Sequence, residues 1–180
     1  MRKLLHSEIL DMRMSPEDSK TVKRHPVSLI VHNVRSLYNV GSLFRTFDSM
    51  LASELILCGY TPHPPRKEIE KTALGAVDTV PWSYHKNIQD AITLQKDAGK
   101  KIIALELTDS LRDYSDLHNT DFPCAIIAGN ELTGIDNDVL ALCDFSIEIP
   151  MYGVKHSLNV SVAAGIALYE AVRIWKGLNL

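Results

Sequence analysis

Three short polar stretches stand at the mouths of apolar segments, and their residue types suit holding a ligand and orienting a nucleophile. The first is Asn39-Val40-Gly41-Ser42-Leu43-Phe44-Arg45. Asn39 can cap a helix with its side-chain oxygen, and Gly41 lets another segment approach closely. Arg45 sits among Leu43, Phe44 and Phe47 in sequence, where a charge needs a partner. It reads either as a snorkelling cation or as a clamp that reaches over strand ends to hold a phosphate. The second stretch is Gly129-Asn130-Glu131-Leu132-Thr133-Gly134. Its bracketing glycines predict a turn that uses positive φ and exposes backbone groups, which can serve an adenine or a ribose. Glu131 would accept from backbone N–H groups or pair with Arg45. The third, Ser157-Leu158-Asn159, opens an apolar run from Val160 to Tyr169. Ser157 is a natural N-cap. Asn159 is a mediocre helix former, and gains meaning if its amide reaches another loop or a substrate. His156, beside them, reads as a solvated loop histidine.

These stretches must be positioned by the elements around them. Short apolar runs predict buried strands at Val27 to Val31, Glu54 to Cys58, Lys101 to Leu105, Pro123 to Ala128 and Phe145 to Ile149, with a weaker candidate at Thr79 to Tyr84. Several runs are continuous rather than alternating, as a sheet covered on both faces requires. Helical patterns lie between them, at Val40 to Leu51, Asn87 to Ala98, about Asn137 to Leu142, and Ser157 to about Lys176. Strands alternating with helices predict an α/β fold with a mostly parallel sheet and helices on both faces. Ligands bind such sheets where loops leave the carboxyl ends of the strands. The loops to inspect therefore follow the strands, at residues 32–39, 129–136 and 150–157, and lead into or carry the three polar stretches.

Composition narrows the function. The 180 residues are 46% hydrophobic and 23% charged, which suits a single ordered domain and not a disordered chain. The N-terminus has charges scattered through it and no apolar core segment, so no secretory signal is expected, and the longest apolar run is too short to span a bilayer. Cys58, Cys124 and Cys143 lie far apart and form no C-x-x-C pair. They read as buried, reduced thiols of a cytoplasmic protein, with no metal site. The net charge of −3 argues against broad nucleic-acid binding. Positive charge is nonetheless gathered in a short basic arm over residues 1–26 (Arg2, Lys3, Arg13, Lys20, Lys23, Arg24) and at Arg66, Lys67 and Lys71. These are either ordinary solvated charges or a local basic surface. No G-x-G-x-x-G fingerprint, Walker loop or nucleophile elbow occurs, which disfavours a nucleotide hydrolase or other small-molecule α/β enzyme.

As an ordered set, the three stretches resemble the motifs of the SpoU, or TrmH, family of RNA ribose methyltransferases in the SPOUT superfamily. The first motif is seen in Asn39-Val40-Gly41-Ser42-Leu43-Phe44-Arg45, the second in Gly129 to Gly134, and the third in Ile149-Pro150-Met151 followed by Ser157-Leu158-Asn159-Val160-Ser161-Val162-Ala163. Residues 70–82, EKTALGAVDTVPW, also resemble a family segment, and the likeness runs from about Val27 to the C-terminus. It implies one SPOUT methyltransferase domain, residues 27–180, with an α/β knot whose C-terminal segment threads a loop. It implies S-adenosylmethionine as cofactor, a homodimer with composite active sites, and methyl transfer to a ribose 2′-hydroxyl of tRNA or rRNA. Catalytic roles would fall to Asn39, Arg45, Glu131, Ser157 and Asn159. Cofactor contacts would fall to Leu105, Gly129, Ile149, Met151 and Leu158. A guanidinium has donors and no acceptor, so clamping a phosphate suits Arg45 better than acting as a base. The competing expectation is a non-catalytic RNA-binding dimer that keeps the fold.

Overall fold

Six short apolar segments pair into one sheet: β1 (His25–His32), β2 (Ala52–Cys58), β3 (Trp82–His85), β4 (Lys101–Leu105), β5 (Cys124–Ala128) and β6 (Phe145–Ile147). The structure is a computed structural model and describes residues 1–110 and 112–178. Strand order is β3-β2-β1-β5-β4-β6. Every pairing between these strands is parallel. The sheet is therefore parallel, as expected. Two predicted boundaries shift. The run Phe145 to Ile149 leaves the sheet after Ile147, and Glu148 meets only Asp113 in an isolated bridge. The weak candidate at Thr79 to Tyr84 becomes Trp82–His85, preceded by a 3-10 turn at Ala76–Asp78.

The continuous apolar runs are explained by burial on both faces. Along β1, Val27, Leu29 and Val31 belong to one core, and Ile30 to the other. The same alternation follows in β5, where Cys124, Ile126 and Ala128 face one side and Ala125 and Ile127 the other. The first core is capped by α3 (Leu37–Met50), α4 (Lys67–Ala73) and α7 (Val160–Leu178). The second is capped by α5 (Ile88–Asp97) and α6 (Asn137–Leu140). Phe44 and Phe47 are fully buried, each contributing about 1.5–3 kcal/mol of apolar transfer. Phe44 also meets Trp82 edge-on, with ring centroids 6.0 Å apart.

The helix α4 was not anticipated. Its only buried residues are Ile69 and Ala73, an i, i+4 pair in a charged segment. A Cβ on Gly41 would collide with Thr72 Oγ1 and with the Ile69 carbonyl oxygen, so this glycine is what lets α3 and α4 touch. Before β1, the arm forms α1 (His6–Asp11) and α2 (Pro16–Thr21). No residue of α1 is buried. Arg24 ties the arm to the sheet by donating to the carbonyls of Ser19 (3.2 Å), Ala52 (3.2 Å) and Thr79 (2.7 Å). Cys58 and Cys124 are buried free thiols, while Cys143 is half-buried. Burial pushes the first two up to about 12 and Cys143 up to about 11, which leaves them unreactive.

Candidate active site

All strands run the same way, so the loops after β1, β4, β5 and β6 emerge at one end of the sheet. There the polar residues of three loops meet. The helix α3 is capped by Ser36, whose hydroxyl accepts from the Asn39 N–H (3.3 Å). Asn39 therefore does not cap the helix as expected, and its side chain faces the neighbouring loops. Its Nδ2 donates to Glu131 Oε1 (3.2 Å), and its Oδ1 accepts from Asn159 Nδ2 (3.2 Å). Glu131 Oε2 accepts from the Arg35 backbone N–H (3.3 Å). Of the two partners foreseen for Glu131, it takes a backbone N–H and not Arg45.

The start of α7 corrects a second expectation. Asn159 Oδ1 accepts from the Ser161 N–H (3.0 Å) and from Ser161 Oγ (2.6 Å), and the helix begins at Val160. The capping residue is Asn159, and Ser157 stands two residues before it in an exposed, irregular segment. The carboxamide has two ends and uses both, the oxygen for the cap and the nitrogen for Asn39.

Beneath these residues lies a cavity of about 280 Å³. Leu105, Gly129, Ile149, Met151 and Leu158 all line it, together with Glu131 and Ser157. Its wall combines apolar side chains (Ala128, Val160 and Ala163 among them) with the backbone of 129–134, the mixture typical of small-molecule sites. The turn closes tightly on itself, with reciprocal backbone bonds between Asn130 and Gly134 at 3.1 and 2.9 Å. Of its two glycines only Gly134 adopts positive φ, at +67°. Gly129 is required for space instead, because a Cβ there would lie 2.6 Å from the carbonyl of Gly134.

Some structural anchors of the site fell outside the expected set. Asn130 Nδ2 donates to the Asn33 carbonyl (2.8 Å) and to Tyr60 Oη (2.5 Å), while its Oδ1 accepts from the Leu132 (2.7 Å) and Thr133 (3.1 Å) N–H groups. Asn33 is left-handed, with φ 58°, and its Oδ1 accepts from the Tyr60 N–H (3.2 Å). This second relay joins the loops after β1, β2 and β5. The signals available in the sequence were an asparagine directly after an apolar run, Asn33, and another directly after a glycine, Asn130. Glu106 also lines the cavity and was unmarked, since a carboxylate after an apolar run reads as a strand end.

Of the expected site residues, Asn39, Asn159 and Arg45 are not part of the cavity wall; the first two are tied to its rim through Glu131, and Arg45 is not. It is exposed, on the outer face of α3 with Tyr38, Ser42 and Ser49. At about 100° per residue, Leu43 and Phe47 point away from it, so its apolar neighbours in sequence are not its neighbours in space. It borders a separate depression with Lys71, Thr72, Leu74 and Tyr169. Arg45 makes no ion pair or hydrogen bond with the described residues. Among those residues no cluster of three or more His, Cys, Asp or Glu could hold a metal, and no helix is long and apolar enough to cross a membrane.

The chain is similar to known proteins in sequence and in fold. The tRNA (guanosine(18)-2′-O)-methyltransferase of Escherichia coli K12 is 35% identical over 152 residues, covering 84% of this chain and 65% of that protein. The crystal structure of the A. aeolicus TrmH/SpoU tRNA modifying enzyme superposes with a TM-score of 0.79 at 28% identity, covering 91% of this chain and 85% of the other. An AdoMet-bound rRNA methyltransferase from Sinorhizobium meliloti gives a TM-score of 0.78 at 30% identity, over 89% of this chain and 61% of the other. The chain thus spans a little under two thirds of the length of the E. coli and S. meliloti proteins. Sequence motifs, parallel sheet and cavity agree with a match over residues 26–169, and the chain belongs to the SpoU rRNA Methylase family.

Proposed function

We propose that this protein is an S-adenosylmethionine-dependent methyltransferase that modifies a ribose 2′-hydroxyl of tRNA or rRNA. The observation that carries this reading is the cavity at the strand ends, whose lining residue Glu131 is tied to Asn39 in α3 and through it to Asn159. Its apolar wall and exposed backbone suit a ligand with a flat base and polar edges. Leu105, Gly129, Ile149, Met151 and Leu158 would hold the cofactor. When bound, S-adenosylmethionine supplies an activated methyl group.

The chain's own residues would do the positioning, which accounts for several kcal/mol of a transfer barrier. Glu131 fixes Asn39, Asn39 fixes Asn159, and the amides stand where a ribose would lie over the cavity. Ser157 adds a hydroxyl at the rim. Arg45 would clamp a substrate phosphate and orient the 2′-hydroxyl. Its place on the outer face of α3, beside exposed Leu74 and Tyr169, supports a homodimer in which one copy's arginine completes the other's site. The small residues Ala163, Ala164 and Gly165 of α7 suit such a seam. The family likeness supports a knotted C-terminal segment, a single domain over residues 27–180 behind a basic arm at 1–26, and a cytoplasmic location, where tRNA and rRNA are found.

The test is transfer of labelled methyl from S-adenosylmethionine to total tRNA and rRNA, with ribose methylation mapped in the product. Label in a specific 2′-O-methyl nucleotide is expected. Tight RNA binding by the folded protein without transfer to any RNA would overturn the reading in favour of a non-catalytic RNA-binding dimer.

A further inference from the structure

Two carboxylates of the cavity wall have no role in the site as described so far. Glu106 directly follows β4 and Glu148 directly follows β6, and both are half-buried. Glu106 is fixed by backbone from two segments. Its Oε1 accepts from the Leu107 N–H (3.0 Å) and its Oε2 from the Ile135 N–H (2.9 Å). A Cβ on Gly134 would collide with Oε2, so the carboxylate is wedged under the turn that carries Glu131. The Glu148 side chain has no such tie, and Glu148 is among the residues that line the same cavity. With Glu131 at the rim, the lining holds three carboxylates and neither lysine nor arginine, and its remaining ionisable side chain is the exposed His156.

A cleft walled by apolar groups and carrying uncompensated negative charge favours a cation, because attraction is screened less there than in water. The cofactor of the proposed function changes charge during the reaction. In the transfer the S–CH3 bond breaks with its electron pair staying on sulfur, the O–CH3 bond forms, and the hydroxyl proton leaves to solvent. The sulfonium becomes a neutral thioether.

We propose that Glu106 and Glu148 are specificity-determining residues that make the cavity favour the sulfonium cofactor over its thioether product. They thereby ease product departure once the methyl and its charge have left. Glu106 additionally positions the 130–135 turn. This inference rests on the methyltransferase reading and adds to it a selection by ligand charge.

Calorimetric titration of the full chain with S-adenosylmethionine and with S-adenosylhomocysteine, at low salt, decides it. Glu106→Gln and Glu148→Gln are each expected to weaken sulfonium binding about ten-fold more than thioether binding, the size of one screened charge interaction. A purely structural role would weaken both ligands alike. Glu148→Gln breaks no hydrogen bond seen here, so it keeps the test open if Glu106→Gln does not fold. An affinity ratio within about two-fold of the wild type in the folded variants overturns the proposal. A wild-type chain that binds neither ligand would instead overturn the methyltransferase reading itself.

Discussion

The start and the middle of α3 present opposite pictures. At its start, Asn39 spends both ends of its amide on Glu131 and Asn159. Further along, Arg45 stands on the outer face with no partner among the described residues, over a depression bordered by Lys71 and Tyr169. The start is wired before any ligand arrives. The middle offers five N–H donors and awaits an acceptor. Under the proposed function the wired start would fix geometry, and the free guanidinium would receive a substrate phosphate.

The largest effect that could break this contrast is on Arg45. Arg45→Ala is expected to lower methyl transfer by about 10³-fold or more, the scale of a lost transition-state contact. Cofactor affinity by calorimetry should stay within about two-fold, because Arg45 does not line the cavity. Loss of cofactor binding would place Arg45 in the wired half after all. Next comes Gly129→Ala, which forces a methyl against the Gly134 carbonyl. It should weaken cofactor binding by about ten-fold or more, read by the same titration, since the cost of displacing a packed loop exceeds 1 kcal/mol.

Asn159 separates the two uses of its amide. Asn159→Ala removes the cap of α7 and should cost about 1 kcal/mol, a drop of roughly 2–4 °C in Tm for a domain of this size. Asn159→Asp keeps an oxygen for Ser161 but cannot donate to Asn39, so it should keep most of the Tm while still losing turnover. Equal turnover in Asn159→Asp and wild type would remove the relay from the mechanism.

The smallest expected effect concerns pH. Burial lowers the pKa of His32 below its ordinary 6.5, outweighing the opposing pull of Asp136 and Asp138. His25 is lowered too, by burial and by Lys176. Both are therefore harder to protonate folded than unfolded. Their contribution to stability is complete above about 6.5 and is lost as pH falls from there through the folded values. Thermal melts between pH 7.5 and 5.5 should show Tm declining on the acid side, and His32→Gln should flatten that decline. A Tm that rises on acidification would contradict the assignment.

Much of this could be read from the chain itself. The sheet was legible because several of its strands are continuous apolar runs of strand length, as a sheet covered on both faces requires. The cavity residues Leu105, Gly129, Ile149, Met151 and Leu158 were reached through motif likeness, and they do line one space. What escaped was local competition among similar groups. Ser36 and Asn39 can each cap α3, and Ser157 and Asn159 can each cap α7. Choosing between them requires knowing that Asn39 and Asn159, 120 residues apart, are within reach of each other. The helix α4 escaped because its burial rests on Ile69 and Ala73 alone. The exposure of Arg45 was hard to read for a different reason. Its apolar neighbours drew attention to burial, while the helical period turns it outward.

The strand order also governs how this site comes into being. The strand β1 is made early, yet its second neighbour, β5, begins only at residue 124. During synthesis one edge of β1 stays bare, a template for mispairing with other chains. The Asn39–Asn159 contact forms later still, since it joins residues 120 apart and must overcome the closure entropy of that loop. Folding of this chain should therefore be paced by long-range strand insertion rather than by its helices. The pocket would be the last feature to mature, so a half-folded chain would expose a sticky edge and have no ligand site to rescue it.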